Sequence, residues 1–356
     1  MQHNGSARYS RNATYRVWGK MLMDSNNHIE QIIAQLGFSS LHNVSGRNSI
    51  AEIFGKSKKR CGIYLLHFES NIFYIGQALD VVRRFGQHRN TYSDIIGFSF
   101  LPVSKQNLDE QERLLIQSAE INGLPITNRI HVSAIIGKTD LDSVLSDDEQ
   151  SKWLDTKKEF NLCDMSSRVI LPPQQYLRYS QTYARFLNRS DQKQVLELIK
   201  KYILLCVPAC RRTEYSFWSL TCLPATNRST WPRIAAVNIN FMETFVIGHN
   251  IENPNTHWGF VNISKSIIEH QYSSMRGFQK KYPFVRFRER MYRAGGNDQI
   301  TVEVSGLTNL STILSDDTFT SAAGLLNLRL MRKGGTVYAK YHCPQLADAV
   351  LEQHAW

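Results

Sequence analysis

The period of the hydrophobic positions changes several times along the 356-residue chain, and each change marks an element. Ile29, Ile32, Ile33 and Leu36 fall at helical spacing, and a Gly/Ser/Asn-rich stretch follows. From Cys61 the pattern switches. The run Cys61-Gly62-Ile63-Tyr64-Leu65-Leu66-His67-Phe68 is β-branched and aromatic and predicts a strand. Glu69-Ser70-Asn71 predicts a turn, and Ile72-Phe73-Tyr74-Ile75-Gly76-Gln77 a returning strand. Pairing Phe68 with Ile72 sets Leu66 opposite Tyr74 and Tyr64 opposite Gly76. Both tyrosines then share one face, and Gly76 leaves space beside the Tyr64 ring. A slip of one residue would separate them.

Asp80 suits the N-cap of a helix running to about Arg89. Val81 and Phe85 supply its apolar side, while Arg84 and His88, one turn apart, share another face. After Asn107, the residues Leu108, Glu112, Leu115, Ile116 and Ala119 line one face of a second helix. Glu112 is thus a carboxylate in an apolar stripe, and needs an arginine, hydrogen-bond donors or a metal ion. Gly123 and Pro125 stop this helix, and Ile126-Thr127-Asn128 follows as an extended piece. Residues 58–135 therefore predict a compact strand-strand-helix-strand-helix unit.

Residues 136–177 are acidic, then polar, and contain Ser166-Ser167 and Pro172-Pro173; they predict a linker with a short helix near 147–160. Beyond 178, Val195, Leu198, Ile199, Tyr202 and Ile203 predict a helix. Strand-like runs lie near 234–248, 284–293, 299–305 and 336–342, and helices near 307–333 and 344–354. Trp218, Trp231 and Trp258 suggest a substantial core. The expected fold class is α+β in four parts. These are a basic, partly helical extension (1–57), the compact unit (58–135), the linker (136–177) and a larger basic α+β domain (178–356).

Hydrophobic content of 42% and charged content of 21% are those of a globular chain. No apolar run approaches the ~18 residues of a membrane span, and the N-terminus lacks the apolar core of a secretory signal. The cytoplasm is the expected compartment. Six scattered cysteines read as reduced thiols. Cys206 and Cys210, with Cys222 and His342-Cys343 downstream, are zinc-ligand types, but the spacing is not that of paired knuckles, and Cys206 continues an apolar helical run. The net charge of +11 changes the picture more, because of where it sits. Residues 1–60 carry +6 and 178–356 carry +9, whereas 61–135 carry −1 and 136–177 carry −3. Such a surplus favours a polyanionic partner.

The compact unit resembles the GIY-YIG nuclease superfamily. Gly62-Ile63-Tyr64 and Tyr74-Ile75-Gly76 match its two naming tripeptides. Arg84 stands where the family has a phosphate-clamping arginine, and His88 where a histidine often follows one turn later. Glu112, with Leu115-Ile116 behind it, resembles the metal-binding glutamate, and Asn128 the asparagine that ends the module. An aromatic residue often precedes that asparagine; here Thr127 does. The resemblance covers about a fifth of the chain, and its strength lies in the order of these features rather than in any one tripeptide.

The resemblance implies a short antiparallel or mixed sheet flanked by helices, one Mg²⁺ or Mn²⁺ on Glu112, and hydrolysis of phosphodiesters without a covalent enzyme intermediate. The residue types suit that chemistry. A hard cation on one carboxylate polarises the phosphoryl group, and Arg84 offsets the charge that develops on it. Tyr64 either takes the proton of the attacking water or holds the water in line, and His88 competes with it as general base. Tyr74 orients the phosphate or the water. Taken singly, each has a plainer reading: half-buried strand tyrosines, a solvated arginine, a glutamate paired with an arginine, a surface histidine.

Grip on the substrate is expected from the flanks. Lys58, Lys59 and Arg60, after Lys56, precede the first strand. Lys280, Lys281, Arg286, Arg288, Arg290 and Arg293, beside Arg276, interleave with Phe278, Tyr282, Phe284, Phe287 and Tyr292. Alternating arginines at 286, 288 and 290 would lie on one strand face and suit phosphates, with aromatics for core packing or base stacking. The expectation is a metal-dependent endonuclease acting on nucleic acid, with double-stranded DNA the expected substrate, no membrane, and a homodimer as one route to a double-strand cut. The alternative is a non-catalytic nucleic-acid-binding protein on the same fold. A weaker third reading makes the C-terminal domain the effector, with its own ligand.

Overall fold

The computed structural model describes residues 26–55, 59–164, 166–289 and 292–351. Two units divide the chain between Val132 and Ser133.

The first unit is built on a four-stranded antiparallel sheet. Its elements in chain order are α1 (Asn26–Gln35), β1 (His42–Asn43), β2 (Gly62–Phe68), β3 (Phe73–Ala78), α2 (Val81–Thr91), β4 (Ile95–Pro102) and α3 (Leu108–Ile121), and the strand order is β1-β4-β2-β3. Strand β2 is central and buried along most of its length, because both sheet faces are covered. Its odd-numbered residues Ile63 and Leu65 join Phe73, Ile75, Ile32, Ile33, Leu36, Leu115 and Ile116 in one core. Its even-numbered residues Tyr64 and Leu66 join Val44, Ile50, Phe54, Val81, Phe85 and Phe98 in the other. Residues 26–55 therefore supply walls of both cores and an edge strand paired with β4. They are not an extension outside the compact unit.

The hairpin has the register its alternation requires: Leu66 lies opposite Tyr74, and Tyr64 opposite Gly76. Asp80 caps α2, accepting from the amides of Val82 and Arg83. The short piece after α3 bridges to the outer strand, Ile126 pairing in parallel with Phe73.

The second unit contains a six-stranded antiparallel sheet of order β5-β6-β7-β8-β10-β9. Its strands are β5 (Trp218–Cys222), β6 (Arg233–Ile239), β7 (Met242–His249), β8 (His257–Ser264), β9 (Val285–Arg288) and β10 (Gln299–Ser305). Its helices are α4 (Asp147–Cys163), α5 (Pro173–Leu187), α6 (Gln192–Cys206), α7 (Lys265–Tyr272), α8 (Met275–Lys281), α9 (Leu307–Ile313), α10 (Asp317–Arg332) and α11 (Pro344–Leu351). One large core joins the sheet to α6, α10 and α11.

Several expectations change here. Residues 136–177 belong to this unit, because Leu141, Leu145 and Trp153 are fully buried in its core. The run 307–333 is two helices, the second capped by Asp316, whose side chain accepts from the Phe319 amide. Residues 336–342 hold a 3-10 turn at Ala339–Tyr341 instead of a strand. Of the tryptophans, Trp218 is buried but Trp231 is 59% exposed. All six cysteines are unpaired. Among the described residues, no helix is long and apolar enough to cross a membrane.

Candidate functional site

Tyr64, Tyr74, Arg84 and His88 meet on one face of the β2–β3 hairpin. Strand alternation puts Tyr64 and Tyr74 on the α2 side, their ring centroids 6.1 Å apart. Capping by Asp80 fixes the start of α2, so Arg84 and His88, one turn apart, face back toward the tyrosines. The Tyr64 hydroxyl is 2.7 Å from His88 Nε2 and accepts from Arg84 Nε at 3.4 Å. Gln87 in turn accepts from Arg84 Nη1 at 2.9 Å, which steers an otherwise exposed side chain. The His88 ring lies 5.3 Å from Tyr74 and stacks on Tyr92 at 6.2 Å.

Gly76 is required here for a different reason from the one the sequence suggested. The space beside Tyr64 is filled by the tyrosine ring itself. A Cβ at Gly76 would lie 2.5 Å from the Tyr64 hydroxyl and 2.7 Å from Tyr74 Cε1.

Electrostatics separates the two candidate bases. Burial pushes the Tyr64 hydroxyl well above the ordinary tyrosine range, and Tyr74 and Glu112 add to the rise; Arg84 opposes it. Burial also raises Tyr74, with Glu112 again contributing. His88 is pushed down to about 4, first by burial and then by the Arg84 charge. At neutral pH Tyr64 therefore keeps its proton and His88 is uncharged; in the tautomer protonated at Nδ1, His88 Nε2 accepts from the Tyr64 hydroxyl.

Glu112 lies on α3, one turn after Asp109, and half-buried rather than sunk in the apolar stripe; Leu108, Leu115, Ile116 and Ala119 form the buried face. Gln77, next after Gly76 on β3, donates from its single Nε2 to Asp109 Oδ1 at 2.6 Å and to Glu112 Oε2 at 3.0 Å. Two carboxylates thus converge on one nitrogen. Among the described residues no group of three or more His, Cys, Asp or Glu is placed to hold a metal ion. The donor set, all carboxylate oxygen and few in number, fits a Mg²⁺-like cation that keeps much of its water shell; it does not fit a closed zinc or calcium cage.

Asn128 is brought to β3 but not to the tyrosines. Its buried amide accepts from the Ile75 N–H at 3.0 Å and donates to the Ile75 carbonyl at 2.6 Å. It acts as one more rung on the open edge of the sheet, holding the strand that carries Tyr74 and Gly76. A catalytic role for Asn128 does not follow from that geometry.

The basic candidates are more divided. Lys58 and Arg290 lie outside the described residues. Lys59 is exposed, and Arg60 faces Asp80 at 3.8 Å. Lys281 is committed within the second unit: Asp316 takes its ammonium at 2.9 Å, and the Tyr272 and Tyr282 rings flank it at 5.3 and 5.1 Å. Arg288 pairs with Glu303 at 3.1 Å. Lys280, Arg286 and Arg293 are exposed. The strand expected to carry alternating arginines ends at Arg288. Phe278 is fully buried, and Tyr282, Phe284, Phe287 and Tyr292 pack against the same core, so these aromatics serve packing.

Sequence reasoning missed Gln77, Gln87, Asp109 and Tyr92. For Asp109 a signal existed, since three residues before Glu112 puts it on the same helix face. For Gln77 there was none, because its partners come from a distant helix. Comparison of the chain with models of protein families, with curated proteins and with solved structures gave no match to any of them.

Proposed function

We propose that the first unit is a metal-dependent nuclease that hydrolyses phosphodiesters of nucleic acid, with DNA as the substrate we favour. One observation carries the reading. Tyr64, Tyr74, Arg84 and His88, drawn from β2, β3 and α2, bring a neutral proton acceptor and a phosphate-binding cation together, and the Glu112 carboxylate on α3 is near enough to raise both tyrosines electrostatically. Separate structural roles give no reason for that convergence.

Each residue has work suited to its state. Arg84 holds the phosphate and offsets its growing charge in the transition state. Tyr64 takes the proton of the attacking water as its own proton passes to His88 Nε2, so that no free tyrosinate is needed. The new P–O bond forms from the water oxygen, the bond to the leaving oxygen breaks, and that oxygen takes a proton from solvent. Tyr74 orients the phosphate or the water. Glu112, with Asp109 beside it, would hold a Mg²⁺ or Mn²⁺ ion, which supplies Lewis-acid polarisation of the phosphoryl oxygens.

The second unit, whose residues 133–356 carry a net charge of +6, is proposed to bind nucleic acid or to mediate a homodimer. The alternative is that the same fold binds nucleic acid without cutting it. Incubating supercoiled plasmid with the protein, with Mg²⁺ or with EDTA, separates the two: nicking or linearisation in Mg²⁺ alone is expected. Undiminished DNA binding with no cleavage of plasmid or genomic DNA would favour the non-catalytic reading.

A further inference from the structure

We infer that Gln77 is a positioning residue for the cation site, an inference that rests on the nuclease reading. Asp109 and Glu112 stand one turn apart on α3, and two like charges so placed repel. The Gln77 amide counters this, because one N–H goes to Asp109 at 2.6 Å and the other to Glu112 at 3.0 Å. An amide oxygen in the same place would face two carboxylate oxygens, so the chemistry fixes which way the side chain is turned.

The donor's neutrality matters as much as its geometry. A lysine or arginine between the carboxylates would orient them but cancel the charge that attracts a cation. Glutamine draws the pair together and leaves its negative charge in place. Gln77 also follows Gly76 directly, with its side chain on the sheet face opposite Tyr74. Strand β3 therefore carries Tyr74 on one face and, three residues on, the organiser of the carboxylates on the other. Groups that orient metal ligands without touching the metal typically contribute about 10–100-fold to affinity.

The test is Mn²⁺ binding to the full chain by titration calorimetry, with the metal-free denaturation midpoint of each variant measured alongside. Gln77→Met keeps the volume and loses both donors. Mn²⁺ affinity is expected to fall at least about tenfold, with a midpoint near that of the wild type, while Glu112→Ala abolishes binding. Gln77→Glu adds a third carboxylate: its metal-free midpoint should drop, and added Mn²⁺ should raise that midpoint more than it does in the wild type. Wild-type affinity in folded Gln77→Met, with Glu112→Ala inactive in binding, would overturn the positioning role and leave the nuclease reading standing. Failure of the wild type to bind Mn²⁺ would overturn the metal reading and this inference with it. Should Gln77→Met not fold, Gln77→Glu decides, and a metal-induced rise no larger than the wild type's would overturn the inference.

Discussion

Gly76 owes its place to the Tyr64 ring. The backbone of β3 passes so close under that ring that even a methyl group forces both tyrosines to move. Gly76→Ala is expected to cost about 1–3 kcal/mol, the usual range for overpacking a filled interior, as read by urea denaturation. It should also lower cleavage by more than the stability loss explains, since the Tyr64 hydroxyl would leave His88. His88 carries the pH dependence at this scale. Its pKa lies near 4 in the fold against 6.5 unfolded, so the folded state binds fewer protons between those values. The stability it contributes is complete above about pH 6.5 and is lost as pH falls toward 4. Cleavage should therefore keep its plateau down through pH 6.5 and fall only near pH 4. An acid limb centred on 6.5 would mean that His88 is neither buried nor opposed by Arg84.

Among elements, the segment 39–55 has the clearest consequence. Val44, Ile50 and Phe54 are buried against Tyr64, Leu66 and Phe98, and Arg89 of α2 donates to the carbonyls of Val44 and Ile95, tying β1 to β4. Removing residues 1–58 from the full chain should abolish the first unit's cooperative transition in calorimetry while the second unit's persists. The hairpin register, the start of α2 and the end of α3 were legible in the sequence, because each rested on local chemistry: two-residue alternation, an Asp cap, a Gly-Pro stop. The role of segment 39–55 was not, since its few apolar residues find their partners only in three dimensions. Strand β8 escaped for a related reason. Asn262 breaks its apolar run and is satisfied across the sheet by Gln299 and Thr301, donors at 2.8 and 2.6 Å. Residues 336–342 misled in the opposite direction. Their β-rich composition suggested a strand, but the Thr336 and Val337 amides bond to the Ser216 and Asn240 carbonyls, and the chain turns. In the site, the shared faces of Tyr64 with Tyr74 and of Arg84 with His88 could be read from spacing, and Glu112 joined them through the resemblance, whereas Gln77 depends on where α3 comes to rest.

Over the whole molecule, charge and chemistry are separated: the catalytic residues proposed here lie in a segment of −1, and the surplus lies on both sides of it in sequence. Exposed and committed cations should behave differently. Replacing Lys280 and Arg286 with alanine is expected to weaken DNA binding and to flatten its dependence on salt, as loss of phosphate contacts does. Lys281→Ala should instead lower the denaturation midpoint, because it leaves the Asp316 carboxylate of the α10 cap without its cation. Electrophoretic mobility shifts across a salt series, beside urea curves, distinguish the two effects.

The most direct measurement is cleavage of plasmid in Mg²⁺ by the wild type and by Glu112→Ala and Arg84→Ala, with DNA binding measured for all three. A nuclease centred on Tyr64, Arg84, His88 and Glu112 predicts cutting by the wild type alone, a loss of at least about a hundredfold in each variant, and binding retained by Glu112→Ala. Equal cutting by wild type and variants would place the activity elsewhere in the chain and contradict the assignment of this site.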